Sequence, residues 1–134
     1  MKNEEDVIYR YMDDFAEKNA ESFKDLFDTI RKKNGMSLED YAELIHTDPR
    51  SLSRWIGQED KKHITPDFLI LMMSIFKMPD WVTDLAFETA GINMNPRTNG
   101  RHRIFKHIIR SMWTDSVEEL NRYLKDKGQA PLQV

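Results

Sequence analysis

Three side chains able to hydrogen-bond to nucleic-acid bases lie close together near the middle of the chain. Arg50, Ser51 and Arg54 fall on one side of a short helix predicted over residues 49–56. An arginine can donate two parallel hydrogen bonds to guanine O6 and N7, and a serine hydroxyl can pair with several base edges. This chemistry suits a helix in the major groove of DNA, although a solvated protein surface also carries arginines at such spacing.

The residues around this helix predict a helix-turn-helix over residues 37–57. Asp48 is a favourable N-cap, and Pro49 stands at the first helical position, where its missing N–H costs nothing. Apolar residues recur at helical spacing on both sides of the turn: Leu38, Tyr41, Ala42 and Ile45, then Leu52, Trp55 and Ile56. The second helix is therefore expected to begin sharply and to leave its N-terminal end exposed.

Two flanking groups are candidate contacts to the DNA backbone. Ser37 is predicted to cap the first helix of the motif, with Asp40 completing a capping box. Because a helix N-terminus attracts anions, Ser37 is also a candidate phosphate contact, and both roles can hold at once. Lys61, Lys62 and His63 follow the second helix and form either a phosphate contact or a plain polar loop.

Helical periodicity covers nearly the whole chain, which predicts an all-α protein without strands. An acidic helix is expected within residues 1–22, and further helices through residues 23–91. Residues 92–100 are expected to form a linker, and residues 101–128 two more helices. Helix starts are predicted at Ser22 and Thr65, and the tail over residues 129–134 is expected to be loose.

Residues 23–91 resemble the five-helix DNA-binding domain of lambda-repressor/Cro-like regulators, the XRE-type helix-turn-helix family. The resemblance covers about half of the chain, including the segment from Ile64 to Leu71 and the order of the elements, and its motif positions are Ala42, Leu52 and Trp55. Where the family prefers glycine at the turn, this chain has His46, for which a positive φ is therefore expected. Thr47 stands where the family prefers a branched apolar residue.

The resemblance implies a sequence-specific DNA-binding transcriptional regulator, working in the cytoplasm of a bacterium or during phage infection. It places four residues of the second helix on the groove-facing side: Pro49, Arg50, Ser51 and Arg54. Domains of this kind usually bind double-stranded DNA as homodimers. The fold expected is a lambda-repressor-like domain with helical extensions at both ends, of which residues 101–128 serve packing or dimerisation.

The charge of the chain supports a rival interpretation. The formal net charge is −3 and the isoelectric point is near 5.8, whereas nucleic-acid readers are often basic. A protein-interaction module of the same fold, antitoxin-like or regulator-binding, would need no DNA. Residues 97–113 hold basic residues and no acidic ones: Arg97, Arg101, Arg103, Lys106 and Arg110. This basic segment either lies on phosphates or packs against the acidic N-terminal helix, and the second arrangement needs only this chain or a second copy.

The remaining composition argues against catalysis and membrane insertion. The chain has no cysteine, which fits a reducing compartment. The longest strongly apolar run, Phe68 to Phe76, is too short to span a bilayer. His102 and His107 fall on different sides of a predicted helix, so no metal site is expected. Without a glycine-rich phosphate loop or a nucleophile beside a base, neither an enzyme nor a cofactor or small-molecule ligand is expected.

Overall fold

The computed structural model of the protein describes residues 22–57 and 61–133, without the side chain of Lys61. Helices are the only regular structure in these residues, which confirms the predicted all-α class. They are α1 (Phe23–Lys33), α2 (Leu38–Leu44), α3 (Pro49–Ile56), a 3-10 turn (Lys61–His63), α4 (Pro66–Phe76), α5 (Asp80–Ala90), α6 (Gly100–Ser111) and α7 (Val117–Asp126). The acidic helix predicted within residues 1–22 lies, apart from Ser22, outside the described residues.

Side-chain caps start the helices where the sequence predicts them. Ser22 accepts the backbone N–H of Asp25 at 3.1 Å, and Thr65 accepts that of Phe68 at 3.2 Å. Ser37 and Asp40 form the reciprocal capping box at the start of α2. Each cap satisfies a backbone donor that has no partner inside its helix, so the helix boundaries are fixed by local chemistry.

His46 closes the turn between α2 and α3 in a left-handed conformation, with φ at 59°. Its N–H donates to the carbonyl of Glu43, and the next N–H, of Thr47, donates to the carbonyl of Ala42 at 2.9 Å. This pair of bonds is the usual termination of a helix at a glycine. The predicted positive φ is confirmed, and the chain makes this turn with a side chain present.

An aromatic cluster joins α1, α2 and α4 at the centre of the core. The ring of Tyr41 packs edge-on against Phe27 at a centroid distance of 5.0 Å and stacks on Phe76 at 5.2 Å. The apolar stripe of α1 is fully buried: Phe23, Leu26, Phe27 and Ile30. Ring contacts thus join both α1 and α2 to α4.

Helix α4 is the central element, because it also packs against α5, α6 and α7. Its residues are buried around the whole helix: Phe68, Leu69, Ile70, Leu71, Met72, Met73, Ser74 and Phe76. The hydroxyl of Ser74 donates to the carbonyl of Asp115 at 2.7 Å, which joins α4 to the turn before α7. Apolar residues of α6 and α7, including Phe105, Ile108 and Leu120, belong to the same core cluster.

The described residues of the C-terminal tail, 129–133, are tied to the helices by hydrogen bonds, against the prediction of a loose tail. Arg101 donates to the carbonyls of Ala130 at 2.7 Å and Pro131 at 3.2 Å. The N–H of Leu132 donates to Asn121 Oδ1 at 2.8 Å. These partners belong to α6 and α7, so the tail is held by tertiary hydrogen bonds that its own composition does not reveal.

Candidate nucleic-acid interface

Helix α3 is anchored to the core on one side and open to solvent on the other. Leu52 and Ile56 are buried, and Trp55 is half-buried, with its ring stacked on His63 at a centroid distance of 4.3 Å and an angle of 15°. The outward side holds Arg50, Ser53 and Arg54, all exposed. Rigid support from one face and free polar groups on the other is the arrangement that a groove-binding helix needs.

The N-terminal turn of α3 is organised by Asp48. The carboxylate accepts the backbone N–H of Ser51 at 2.8 Å through Oδ1 and the hydroxyl of Ser51 at 2.8 Å through Oδ2. These two bonds lower the pKa of Asp48 below its ordinary value. Pro49 occupies the first helical position and is half-buried, so it shapes the start of α3.

Arg50 and Arg54 have no carboxylate within salt-bridge distance among residues 22–57 and 61–133. Arg54 Nη2 instead donates to Ser51 Oγ at 3.4 Å. Three other arginines of the described residues differ: Arg31 pairs with Asp28, Arg101 with Asp67, and Arg110 with Asp80. Within the described part of the chain, the two guanidinium groups of α3 are therefore left for an external acceptor.

Ser37 acts as the predicted cap of α2, with its hydroxyl accepting the N–H of Asp40 at 3.0 Å. The Asp40 carboxylate in turn accepts the N–H of Ser37 at 3.3 Å. A negative charge thus already occupies the helix N-terminus where a phosphate would lie. The capping role is confirmed, and the phosphate contact stays a prediction that this carboxylate disfavours.

Lys62 and His63 line a cleft of about 480 Å³ beside the tail. Lys62 is exposed at its edge, next to the 3-10 turn that carries His63. A salt bridge between Arg101 and Asp67 also lines the cleft, with Nη2 and Oδ2 2.6 Å apart and both side chains about 20% exposed. The side chain of Lys61 lies outside the described part of the chain, so only Lys62 of the predicted pair can be placed.

Two arginines of the basic segment form salt bridges with aspartates of α4 and α5. Arg110 lies 2.9 Å from Asp80 and 3.7 Å from Asp84, at the start of α5. Arg103 Nε donates to the carbonyl of Pro96 at 3.2 Å. For Arg110, as for Arg101, the acidic partner comes from the described helices, so neither arginine requires the N-terminal segment.

Sequence reasoning missed three features of this surface. Ser53 is exposed three residues after Arg50, and helical spacing alone places it on the same face. The hydrogen bond from the Ser51 hydroxyl to Asp48 also follows from spacing, since a cap and the third helical residue lie side by side. By contrast, the stacking of His63 on Trp55 joins a loop to a helix, and no periodic pattern indicates it.

Comparisons with protein-family models, curated proteins and solved structures gave no match for this chain. No group of three or more potential metal ligands was found in the described residues. In the same part of the chain no helix is long and apolar enough to cross a membrane.

Proposed function

We propose that the protein is a sequence-specific DNA-binding transcriptional regulator that reads the major groove with α3. We further propose that residues 23–91 form a lambda-repressor-like five-helix domain and that the protein works in the cytoplasm as a homodimer. Five helices in the expected order support the fold: α1 to α5 lie within this range, α2 contacts α3, and α1 packs against both α3 and α5.

One observation carries the functional proposal: α3 presents two exposed arginines that no described carboxylate neutralises. Arg50 and Arg54 stand one helical turn apart on the face opposite Leu52 and Ile56. In a chain with net charge −3, two arginines on one short helix that form no salt bridge with the described carboxylates suit an anionic partner that is recognised through that helix. The pair also provides the geometry for bidentate hydrogen bonds to guanine.

The proposal is tested by selecting bound duplexes from a random DNA pool with the full chain. We expect enrichment of a defined sequence, and a loss of about 1–3 kcal/mol in specific binding for Arg50→Ala or Arg54→Ala if each makes a bidentate base contact. Fluorescence anisotropy with the selected duplex measures this loss. Circular dichroism should show an unchanged fold, because both side chains are exposed.

Lys106→Ala is a matched control, since Lys106 is an exposed base on α6, far along the chain from α3. It should leave the selected sequence unchanged. Unchanged affinity in both arginine variants, measured on a verified site, contradicts the assignment of α3 as the reading helix.

A second candidate function, a protein-interaction module that does not read DNA, is supported by a separate surface. Leu44 is 54% exposed at the end of α2, in a shallow cleft that also contains Asp40 and Glu43. An exposed leucine beside carboxylates suits a protein partner with apolar and basic residues. Absence of any enriched DNA sequence, together with unchanged anisotropy on random duplexes, would favour this candidate.

A further inference from the structure

A directed chain of hydrogen bonds runs along the exposed N-terminal turn of α3. Arg54 Nη2 donates to Ser51 Oγ at 3.4 Å, and Ser51 Oγ donates to Asp48 Oδ2 at 2.8 Å. The second oxygen of Asp48 accepts the backbone N–H of Ser51. An ionised carboxylate has no proton to donate, so the direction of this chain is fixed at its Asp48 end.

The fixed direction limits what Ser51 can offer to an external partner. A serine hydroxyl has one proton and two acceptor positions. Its proton is used by Asp48, and one acceptor position is used by Arg54. The remaining position can only accept a hydrogen bond, whereas an unrestrained serine can also donate and therefore pairs with any base edge.

The major groove distinguishes bases by this same property. Adenine N6 and cytosine N4 carry amino groups that donate, whereas guanine O6 and thymine O4 only accept. We infer that Ser51 is a specificity-determining residue that accepts a hydrogen bond from an adenine or cytosine amino group and disfavours guanine and thymine at that position. The inference rests on the proposed function. Through its bond to Arg54, Ser51 also positions the guanidinium toward a neighbouring base.

Asp48→Asn should reverse this preference. The asparagine Oδ1 can still accept the Ser51 N–H and cap α3, because Asn and Asp are similarly good N-caps. Its amide nitrogen would donate to Ser51 Oγ, which frees the hydroxyl proton to donate to guanine O6 or thymine O4. The variant therefore changes the direction of the hydroxyl without removing Ser51.

The experiment compares DNA selections by the wild-type full chain, Ser51→Ala, Asp48→Asn and Glu43→Gln. Glu43→Gln removes one negative charge from the exposed surface of α2 without touching the hydrogen-bond chain, and so controls for the charge change in Asp48→Asn. We expect adenine or cytosine at one position for wild type and Glu43→Gln, no preference there for Ser51→Ala, and guanine or thymine for Asp48→Asn. Competition with duplexes differing at that base should show changes of about two- to tenfold, the value of one hydrogen bond.

The outcomes separate this inference from the proposed function. If a sequence is enriched and depends on Arg50 or Arg54, but Asp48→Asn and Ser51→Ala keep the wild-type preferences, the role of Ser51 is overturned and DNA reading stands. Guanine or thymine at the Ser51-dependent position of wild type overturns it as well. If no variant or wild-type protein enriches any sequence, the proposed function fails and the inference fails with it.

Discussion

The buried hydroxyl of Tyr41 is an unsatisfied polar group at the centre of the aromatic cluster. The side chain is fully buried, its hydroxyl has no hydrogen-bond partner among the described residues, and burial raises the pKa of the phenol. A buried hydroxyl without a partner costs about 1–3 kcal/mol relative to an apolar group of the same shape.

Tyr41→Phe is therefore expected to raise the free energy of unfolding by about 1 kcal/mol, as measured by urea denaturation. Tyr123→Phe is the control, because Tyr123 is half-buried and its ring stacks on His107, which phenylalanine can preserve. Destabilisation by Tyr41→Phe would show that the hydroxyl has a partner in residues outside the described ranges.

The left-handed turn at His46 gives a second prediction. His46→Gly should be neutral or stabilising by up to about 1 kcal/mol, because glycine has no Cβ penalty at positive φ. Lys77 also has a positive φ, but its Nζ donates to the carbonyl of Asp115 at 3.2 Å. Lys77→Gly should therefore gain less. A loss of about 1 kcal/mol in His46→Gly alone would show that the turn has an ordinary helical conformation in solution.

Acid should weaken the cap at the start of α3. Hydrogen bonds from Ser51 lower the pKa of Asp48 below its ordinary value of 3.8. A carboxyl with a lowered folded-state pKa contributes its full stability above the unfolded pKa and loses it as the pH falls through the folded pKa. The difference in unfolding free energy between wild type and Asp48→Asn should therefore be constant above about pH 5 and change below it. A difference that stays constant down to pH 2 would mean that Asp48 is not hydrogen-bonded to Ser51.

At the scale of elements, the helices and the residues at which they begin could be predicted from the sequence. The tertiary contacts between the helices could not. Four helices begin at a side chain that accepts the backbone N–H three residues later: Ser22, Ser37, Asp48 and Thr65. Because donor and acceptor are so close in the sequence, these caps can be predicted from it. Trp55 packs against the core, as helical spacing predicts, but it stays half-buried, and the ring that stacks on it, His63, comes from the 3-10 turn.

The attachments that were missed join residues far apart in the chain. The salt bridge from Arg101 to Asp67 spans 34 residues, and the bond from Gln133 to the same carboxylate spans 66. Charge pattern alone suggested the acidic N-terminal segment as the partner of the basic helix. The charge pattern could not show that Asp67 and Asp80 are the partners instead, because that depends on how the helices pack together.

For the whole molecule, the central place of α4 predicts that residues 1–91 will not form a stable unit alone. Removing the rest of the chain removes α6 and α7, which pack on α4, and takes six buried side chains out of the common core: Phe105, Ile108, Ile109, Trp113, Leu120 and Leu124. Burying one such side chain contributes about 1.5–3 kcal/mol, so the loss is on the order of 10 kcal/mol, as large as the stability of a typical domain.

Fragment 1–91 should therefore unfold at a much lower temperature than the full chain, or associate, as measured by thermal unfolding and light scattering. Fragment 1–128 is the control, because it keeps α6 and α7 and loses only the tail, and it should unfold close to the full chain. A monomeric 1–91 fragment with the melting temperature of the full chain would show that the first five helices are autonomous.

The burial of α4 on all sides also bears on how such a protein could acquire a new target. A chimera that joins residues 1–91 to the C-terminal helices of another protein would pack foreign helices against α4. Several side chains of the core would then have to change together to restore the packing. Substitutions on the outward face of α3 disturb no packing, since Arg50, Ser53 and Arg54 contact solvent. A protein of this architecture would therefore change its target more readily by point mutations on the outward face of α3 than by exchange of whole segments.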